Sequence, residues 1–342
     1  MRRFGALLQP GTTLQRGYVI EKVLGRGGMG AVYLAQQASL GGRRVAIKET
    51  VLQGLTADDQ ATAMALFRKE AEILAGLEHP GLVDVKDYFE EGSSQYLVMA
   101  FIDGASLEQL CPERSQPPPT VQVVDWLVAI SEVLTYLHEN EPPVIVRDLK
   151  PSNIMLDARA RIRLIDFGIA RVFDQKSETV AFLKGAGTVG YAPLEQQGGG
   201  TTDPRSDIYA LGATGYRLLT STLPPSSVAL ASGEAALTPP SILNPSVSPA
   251  LEGVILRMMG LRKNERYATA RDAADALRLA RPAVASEPQR VAVTPRFCHH
   301  CGTTLVAGRS VCVSCGQSLD SSLVGPSSGG FNASSSPPPT VT

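Results

Sequence analysis

Three groups of residues have types and spacings suited to chemistry. The first is LGRGGMGAV, residues 24–32, where Gly25, Gly27 and Gly30 stand at G-x-G-x-x-G spacing. Glycine lets backbone N–H groups approach phosphate oxygens that a Cβ would hold away. Dinucleotide loops share this spacing but run from a strand into a helix, whereas this one joins two strand-like runs. A plain hairpin turn is the alternative. The second is Lys48, which closes the run VAIK. A lysine there suits a phosphate clamp; the alternative is a solvent-facing lysine on an edge strand. In a partly buried setting it needs a carboxylate. Glu70 and Glu72 compete for that role. Glu72 points about 200° further round a helix axis, while Glu70 borders Ile73 and Leu74 on the apolar side, so Glu70 is the expected partner. The third is Cys298-x-x-Cys301 with Cys312-x-x-Cys315. Four thiolates at this spacing suit tetrahedral Zn²⁺, with a four-thiolate iron site as the alternative. Gly302 and Gly316 follow the knuckles where tight turns need them, and His299 and His300 read as exposed. A segment this short has little core, so metal supplies most of its stability, about 10–16 kcal/mol in comparable peptides.

These residues need elements to position them. YVIEKVL (18–24), AVYLAQ (31–36), RRVAIKET (43–50) and SQYLVMAFI (94–102) read as strands. TAMALFRKEAEILAGL (62–77) has helical spacing, with Leu66, Ile73, Leu74 and Leu77 on one face. Residues 121–140, 206–220 and 268–280 also read as helices. A sheet-rich first third before a helical remainder predicts a two-lobed α+β enzyme. Residues 282–296 have Pro at both ends and little periodicity, as linkers do. From 318 onward the chain is rich in Ser, Pro and Gly and is expected to be disordered. Cys111 stands alone before a Pro-rich loop and reads as a plain thiol.

The bulk numbers narrow the class. The 342 residues suit about two domains. With 32 basic against 33 acidic side chains, no overall field favours nucleic acid or anionic lipid. The ribbon adds only Arg296, Arg309 and Phe297, too little for a nucleic-acid face. No run reaches the ~18 apolar residues of a membrane span, and MRRFGALLQP is too short in apolar residues for a signal peptide. A cytoplasmic protein is expected, with thiols held as metal ligands.

One further stretch, IVRDLKPSNIML (145–156), completes a series. Gly25-x-Gly27-x-x-Gly30, Val45-Ala-Ile-Lys48, Arg147-Asp148 with Asn153, and Asp166-Phe-Gly168 together resemble the protein kinase family, and more narrowly the bacterial eukaryotic-like Ser/Thr kinases. The resemblance covers roughly residues 17–281. It implies a β-rich N-lobe and a helical C-lobe. The organisation is then an N-terminal extension (1–16), a kinase domain (17–281), a linker (282–296), a zinc ribbon (297–317) and a disordered tail (318–342). It implies ATP with Mg²⁺ (or Mn²⁺), Ser/Thr hydroxyls of proteins as substrates, and autophosphorylation. By the same resemblance Lys48 contacts the α/β-phosphates and pairs with Glu70. Asp148 orients the substrate hydroxyl and accepts its proton, with Lys150 by the γ-phosphate. Asn153 and Asp166 hold the metal ions. Leu24, Val32 and Ala46 cover adenine and Leu156 lies beneath it. Met99 is the gatekeeper, and Ala100 and Ile102 offer main-chain hydrogen bonds. Thr188 sits in the substrate-hydroxyl pocket, Glu195 pairs with Arg266, and Asp207 braces the catalytic loop. Arg147 answers a phosphate on the activation segment, at Thr179 or at Ser177.

Two positions depart from the pattern. Val146 stands where the family carries His, at an expected cost of about 0.5–1.5 kcal/mol for one lost hydrogen bond. Leu194 stands in Pro193-Leu194-Glu195 where Ala-Pro-Glu is usual. They are the only support for a catalytically silent scaffold, and the segment around Thr188 and Glu195 disfavours a small-molecule kinase. The ribbon suits protein contact or dimerisation.

Overall fold

A computed structural model describes residues 7–27, 30–51, 56–166, 188–197, 200–282 and 314–318, without the side chains of Ala57, Asp59, Leu66 and Glu70. The chain divides into two compact units, Met1–Ala283 and Val284–Thr342. In the first, β1 (Thr13–Leu14), β2 (Tyr18–Gly27), β3 (Gly30–Gln37), β4 (Arg43–Val51), β5 (Val85–Glu91) and β6 (Ser94–Ala100) form one antiparallel sheet. Its order is β1-β2-β3-β4-β6-β5. The helix α1 (Ala57–Ala75) lies between β4 and β5 in the chain.

Strand alternation sorts this sheet into two faces. On β4, Val45, Ile47 and Glu49 are buried, while Ala46, Lys48 and Thr50 are half-buried on the opposite face. The outer face packs Tyr18, Ile20, Tyr33, Phe89, Tyr96 and Val98 together with Leu8 and Leu14. The Phe89 ring stacks on Tyr18 and on Tyr96, with centroids 5.8 and 5.0 Å apart. The sequence set residues 1–16 apart as an extension. In the structure the part from Leu8 to Leu14 closes this core. Gly11 N–H donates to the Ile20 carbonyl at 2.8 Å, and Ile20 N–H to the Thr12 carbonyl at 2.9 Å. Glu49, buried in the same face, is not left bare: hydroxyls of Tyr33 (2.7 Å), Ser94 (3.0 Å) and Tyr96 (3.0 Å) donate to it.

The remainder is helical: α2 (Leu107–Leu110), α3 (Thr120–His138), α4 (Leu194–Gln197), α5 (Pro204–Thr220), α6 (Ser227–Ser232), α7 (Pro240–Leu243), α8 (Pro249–Met258) and α9 (Ala270–Leu279). A small sheet, β7 (Gly104–Ser106), β8 (Ile154–Asp157) and β9 (Ile162–Leu164), lies among them in that order. α3 buries Val123, Leu127, Ile130, Leu134 and Leu137 at helical spacing, each contributing about 1.5–3 kcal/mol. It packs on α5 and α9. Among the described residues α3 alone is long and apolar enough to cross a membrane, and 56% of that stretch is buried within the protein. α5 starts at an Asp203 capping box with Pro204 at its first turn, and every residue from Ser206 to Thr220 is buried. It is the post around which the helical lobe is built.

In the second unit only residues 314–318 are described. Gly316 has φ +72°, the left-handed conformation that favours glycine after a knuckle. Cys298, Cys301 and Cys312 lie outside the described residues, as do Ser177 and Thr179.

Candidate active site

The half-buried inner face of the first sheet is the roof of the site. Its register sets Gly25 opposite Val32, Val32 opposite Lys48, and Ala46 opposite Met99. Val32, Ala46 and Lys48 thus share one face. Met99 is buried, and Ala100, Ile102 and Leu156 are half-buried against the larger core. Ala100 N–H already donates to the Asp84 carbonyl at 2.8 Å, so a main-chain contact from Ala100 to a ligand must use its carbonyl. Leu24 is exposed.

The glycines divide by cause. A Cβ on Gly30 would stand 1.9 Å from the Glu49 carbonyl oxygen, so Gly30 is required by the close approach of β3 to β4. A Cβ on Gly25 or Gly27 would meet nothing within 4 Å among the described residues. That open space above the exposed Gly25–Gly27 stretch is what a phosphate cradle needs.

Lys48 Nζ donates to Asp166 Oδ1 at 2.6 Å, across 118 residues of chain. The expected partner Glu70 has its side chain outside the description. Asp166 is carried in by β9, which is pinned to the loop after α1: Leu164 N–H donates to the Gly81 carbonyl at 2.8 Å and Val83 N–H to the Leu164 carbonyl at 3.0 Å. Ile165 N–H donates to the Asn153 carbonyl at 3.0 Å, tying Asp166 to the loop that holds Asp148. Phe167 and Gly168 lie outside the described residues.

Asp148 is the centre of the floor. Lys150 Nζ donates to its Oδ2 at 2.7 Å and to Thr188 Oγ1 at 2.7 Å; the Thr188 hydroxyl donates to Asp148 Oδ1 at 2.9 Å. Asn153 Nδ2 donates to the Asp148 carbonyl at 2.8 Å and to its Oδ2 at 3.1 Å. The Asn153 amide is thereby turned so that, among the described residues, Oδ1 receives a 3.5 Å contact from the Ser152 hydroxyl alone. An amide oxygen so placed, with the Asp166 carboxylate, is a hard-oxygen set that fits Mg²⁺ or Mn²⁺. No cluster of His, Cys, Asp and Glu suited to a metal occurs among the described residues.

The loop is braced from behind by Asp207 of α5, which is fully buried. Val146 N–H donates to its Oδ2 at 2.9 Å and Arg147 N–H to its Oδ1 at 2.8 Å. His138, at the end of α3, meets Oδ2 at 2.8 Å. Neither His138 nor this shared carboxylate contact was legible in the sequence, because 69 residues separate the pair. Val146 is itself wholly buried. Arg147 takes φ +63°, and its carbonyl accepts from Gln196 Nε2 at 2.8 Å. A non-glycine residue in that region is strained by about 1–3 kcal/mol and persists because both its N–H and its carbonyl are held.

Glu195 and Arg266 form a buried two-point pair, with Nη1 donating at 2.7 Å and Nη2 at 3.1 Å. Burial opposes ionisation of Glu195, but the hydrogen bonds and charge of Arg266 outweigh it and hold the carboxyl below its usual value. Ser206 Oγ donates to Glu195 at 2.8 Å, which fixes α4 to the start of α5.

Known proteins resemble this chain in sequence and in fold. The family model "Protein kinase domain" matches residues 18–275. The probable serine/threonine-protein kinase PknB of Lactococcus lactis is 35% identical over 266 residues, 76% of this chain and 41% of that protein. Serine/threonine-protein kinase PrkC of Bacillus subtilis is 34% identical over 270 residues, 77% of this chain and 40% of that protein. The chain therefore spans about two fifths of the length of these relatives. Among solved structures, the Mycobacterium tuberculosis PknI kinase domain superposes with TM-score 0.61 at 28% identity, covering 80% of this chain and 99% of that one. With residues 18–275 matched by that model, the chain belongs to the protein kinase family.

Proposed function

We propose that this chain is a Ser/Thr protein kinase acting in bacterial signalling, transferring the γ-phosphoryl of ATP to hydroxyls of protein substrates. The observation that carries this is the convergence of Asp148, Lys150, Asn153 and Thr188 on one point. The Thr188 hydroxyl occupies the kind of place a substrate hydroxyl needs, within hydrogen-bond reach of a carboxylate and an ammonium. Bound ATP with Mg²⁺ or Mn²⁺ supplies the phosphoryl group and neutralises charge on the phosphates. Asn153 Oδ1 and the Asp166 carboxylate would hold the metal. Asp148 orients the incoming hydroxyl and accepts its proton, and Lys150 puts positive charge beside the transfer. Lys48 holds the α/β-phosphates with Glu70 as its second partner. Val32, Ala46, Met99 and Leu156 enclose the adenine, with Leu24 as its outer cover and Ile102 a main-chain contact. The test is radiolabelled transfer from ATP-Mg²⁺ by the purified chain beside Asp148→Asn and Lys48→Met. Label on the chain or on a generic basic protein, lost in both variants, supports the proposal. ATP binding without transfer would leave a scaffold.

Arg147 beside the loop supports regulation by phosphate on the activation segment, at Thr179 or Ser177. Mass spectrometry of active enzyme showing that segment unmodified would end this proposal. The four cysteines 298, 301, 312 and 315 are proposed to bind Zn²⁺ and to serve protein contact or dimerisation; metal analysis finding no zinc would remove it. Dependence on ATP and on reduced thiolates supports cytoplasmic action, which cell fractionation would check.

A further inference from the structure

Arg217 is among the buried charges that the transfer chemistry leaves unused. Arg217 lies in the last turn of α5 and its side chain is only 2% exposed. A guanidinium has five N–H donors and keeps its proton. Here they are poorly served. Nη2 donates to the Cys111 carbonyl at 3.2 Å and stands 3.5 Å from Glu108 Oε1. Nη1 is buried with no hydrogen-bond partner among the described residues. Arg266, also buried, takes its carboxylate at two points, as such groups favour. Arg217 holds Glu108 by one loose contact, and Glu108 is 43% exposed.

Part of the surroundings of Arg217 packs against the catalytic loop. Glu108 is on α2, which packs against the Pro151–Asn153 turn of the catalytic loop. Tyr191 follows Thr188 by three residues, and its N–H donates to the Thr188 carbonyl at 3.0 Å. Burial raises the Tyr191 hydroxyl well above its ordinary value; Glu108 and Glu113 raise it further and Arg217 opposes them, so Tyr191 lies in the field of these charges. An extended peptide covers about 3.3–3.6 Å per residue. Two or three residues from a hydroxyl held at Asp148, it reaches this field.

We propose that Arg217 reads a carboxylate on the peptide substrate, two or three residues from the acceptor, and that Glu108 is a stand-in which the substrate displaces. The surface position of Glu108 lets it turn out to water, and the incoming carboxylate completes the unused Nη1. This selects acidic peptides and rests on the protein kinase reading above.

The test uses the full chain with ATP-Mg²⁺ and matched threonine peptides carrying Glu, Gln or Lys two or three residues to either side of the acceptor. The Glu peptide is expected to exceed the Gln peptide in kcat/KM by about five- to tenfold, mainly through KM, and the Lys peptide to fall below both. Glu108→Gln removes the internal competitor and raises the Glu/Gln ratio; Arg217→Gln brings it to about one. Because both peptides are compared on one preparation, the ratio is independent of how much Arg217→Gln folds. Equal rates on all three peptides overturn the inference, with water as the partner of Nη1. So does a preference for Lys that Glu108→Gln abolishes. Transfer to no peptide and no label on the chain itself defeats the kinase reading and this inference with it.

Discussion

Replacing Asp207 with Asn tests how the catalytic loop is held. The substitution keeps shape and volume and changes charge and one acceptor. In the native chain Oδ1 serves the Arg147 N–H at 2.8 Å, and Oδ2 serves the Val146 N–H at 2.9 Å and His138 at 2.8 Å. Asn has one acceptor oxygen, so whichever way it turns its NH₂ faces a buried N–H. A buried donor left unmade costs about 1–3 kcal/mol, and two charge-assisted bonds that become neutral lose about 1 kcal/mol each. The expected loss is about 3–5 kcal/mol. At about 2–4 °C per kcal/mol for a domain of this size, the melting temperature falls by about 6–20 °C. Arg147, strained at φ +63°, relaxes once its N–H is released, and Asp148 moves with it. A displacement near 1 Å lowers kcat by about a hundredfold. ATP affinity should hold, because Lys48 and Asp166 are carried by β4 and the end of β9. Thermal unfolding and steady-state transfer to one peptide measure both effects. A melting shift under about 2 °C with kcat within about threefold of native would refute the main-chain brace.

Two other perturbations separate structure from binding. Gly30→Ala forces a Cβ against the Glu49 carbonyl and is expected to lower the yield of folded chain and its melting temperature. Gly27→Ala meets open space; it is expected to melt as native and to weaken ATP in a titration, and the reverse ranking would show that neither glycine was understood. Glu195 has its carboxyl held low by Arg266 despite burial, so its ionised form stabilises the fold above its ordinary value of 4.5. That stabilisation is lost as the pH falls from there toward the lower folded value. Glu195→Gln should therefore unfold at lower urea than native at pH 7, and the two midpoints should converge in the acid range; a constant gap down to pH 4 would count against the ion pair.

What the sequence made legible follows from how local each signal is. The helices at 120–138, 204–220 and 270–279 repeat apolar residues every three or four positions, and each stands within a few residues of its expected place. The strands β2, β3 and β4 are apolar, β-branched runs, and β4 alternates buried with half-buried residues. β5 does not: VKDYFEE carries charge on most positions, and it becomes a strand because Val85, Tyr88 and Phe89 pair across to β6. The run at 94–102 stops at Ala100, where the main chain turns its N–H to Asp84. In the site, Asp148, Lys150 and Asn153 stand out because six residues hold all three. The Lys48–Asp166 contact, the His138–Asp207 contact and the Gln196 hold on Arg147 join distant stretches, and no spacing encodes them. At Val146 the sequence implies one lost side-chain hydrogen bond, and the structure adds that its main-chain N–H donates to Asp207.

That last bond bears on how such chains drift and how they are found. Every non-proline residue has the N–H that Asp207 grips, so the brace does not read the identity of residue 146. Selection can let that position wander among side chains that fill the same buried space, with little penalty to the loop. Asp207 has no such freedom, because both of its carboxylate oxygens are engaged. A search filter that demands His at position 146 would set aside a chain like this one as defunct. A filter that demanded the buried acceptor and its helix-end histidine would keep it.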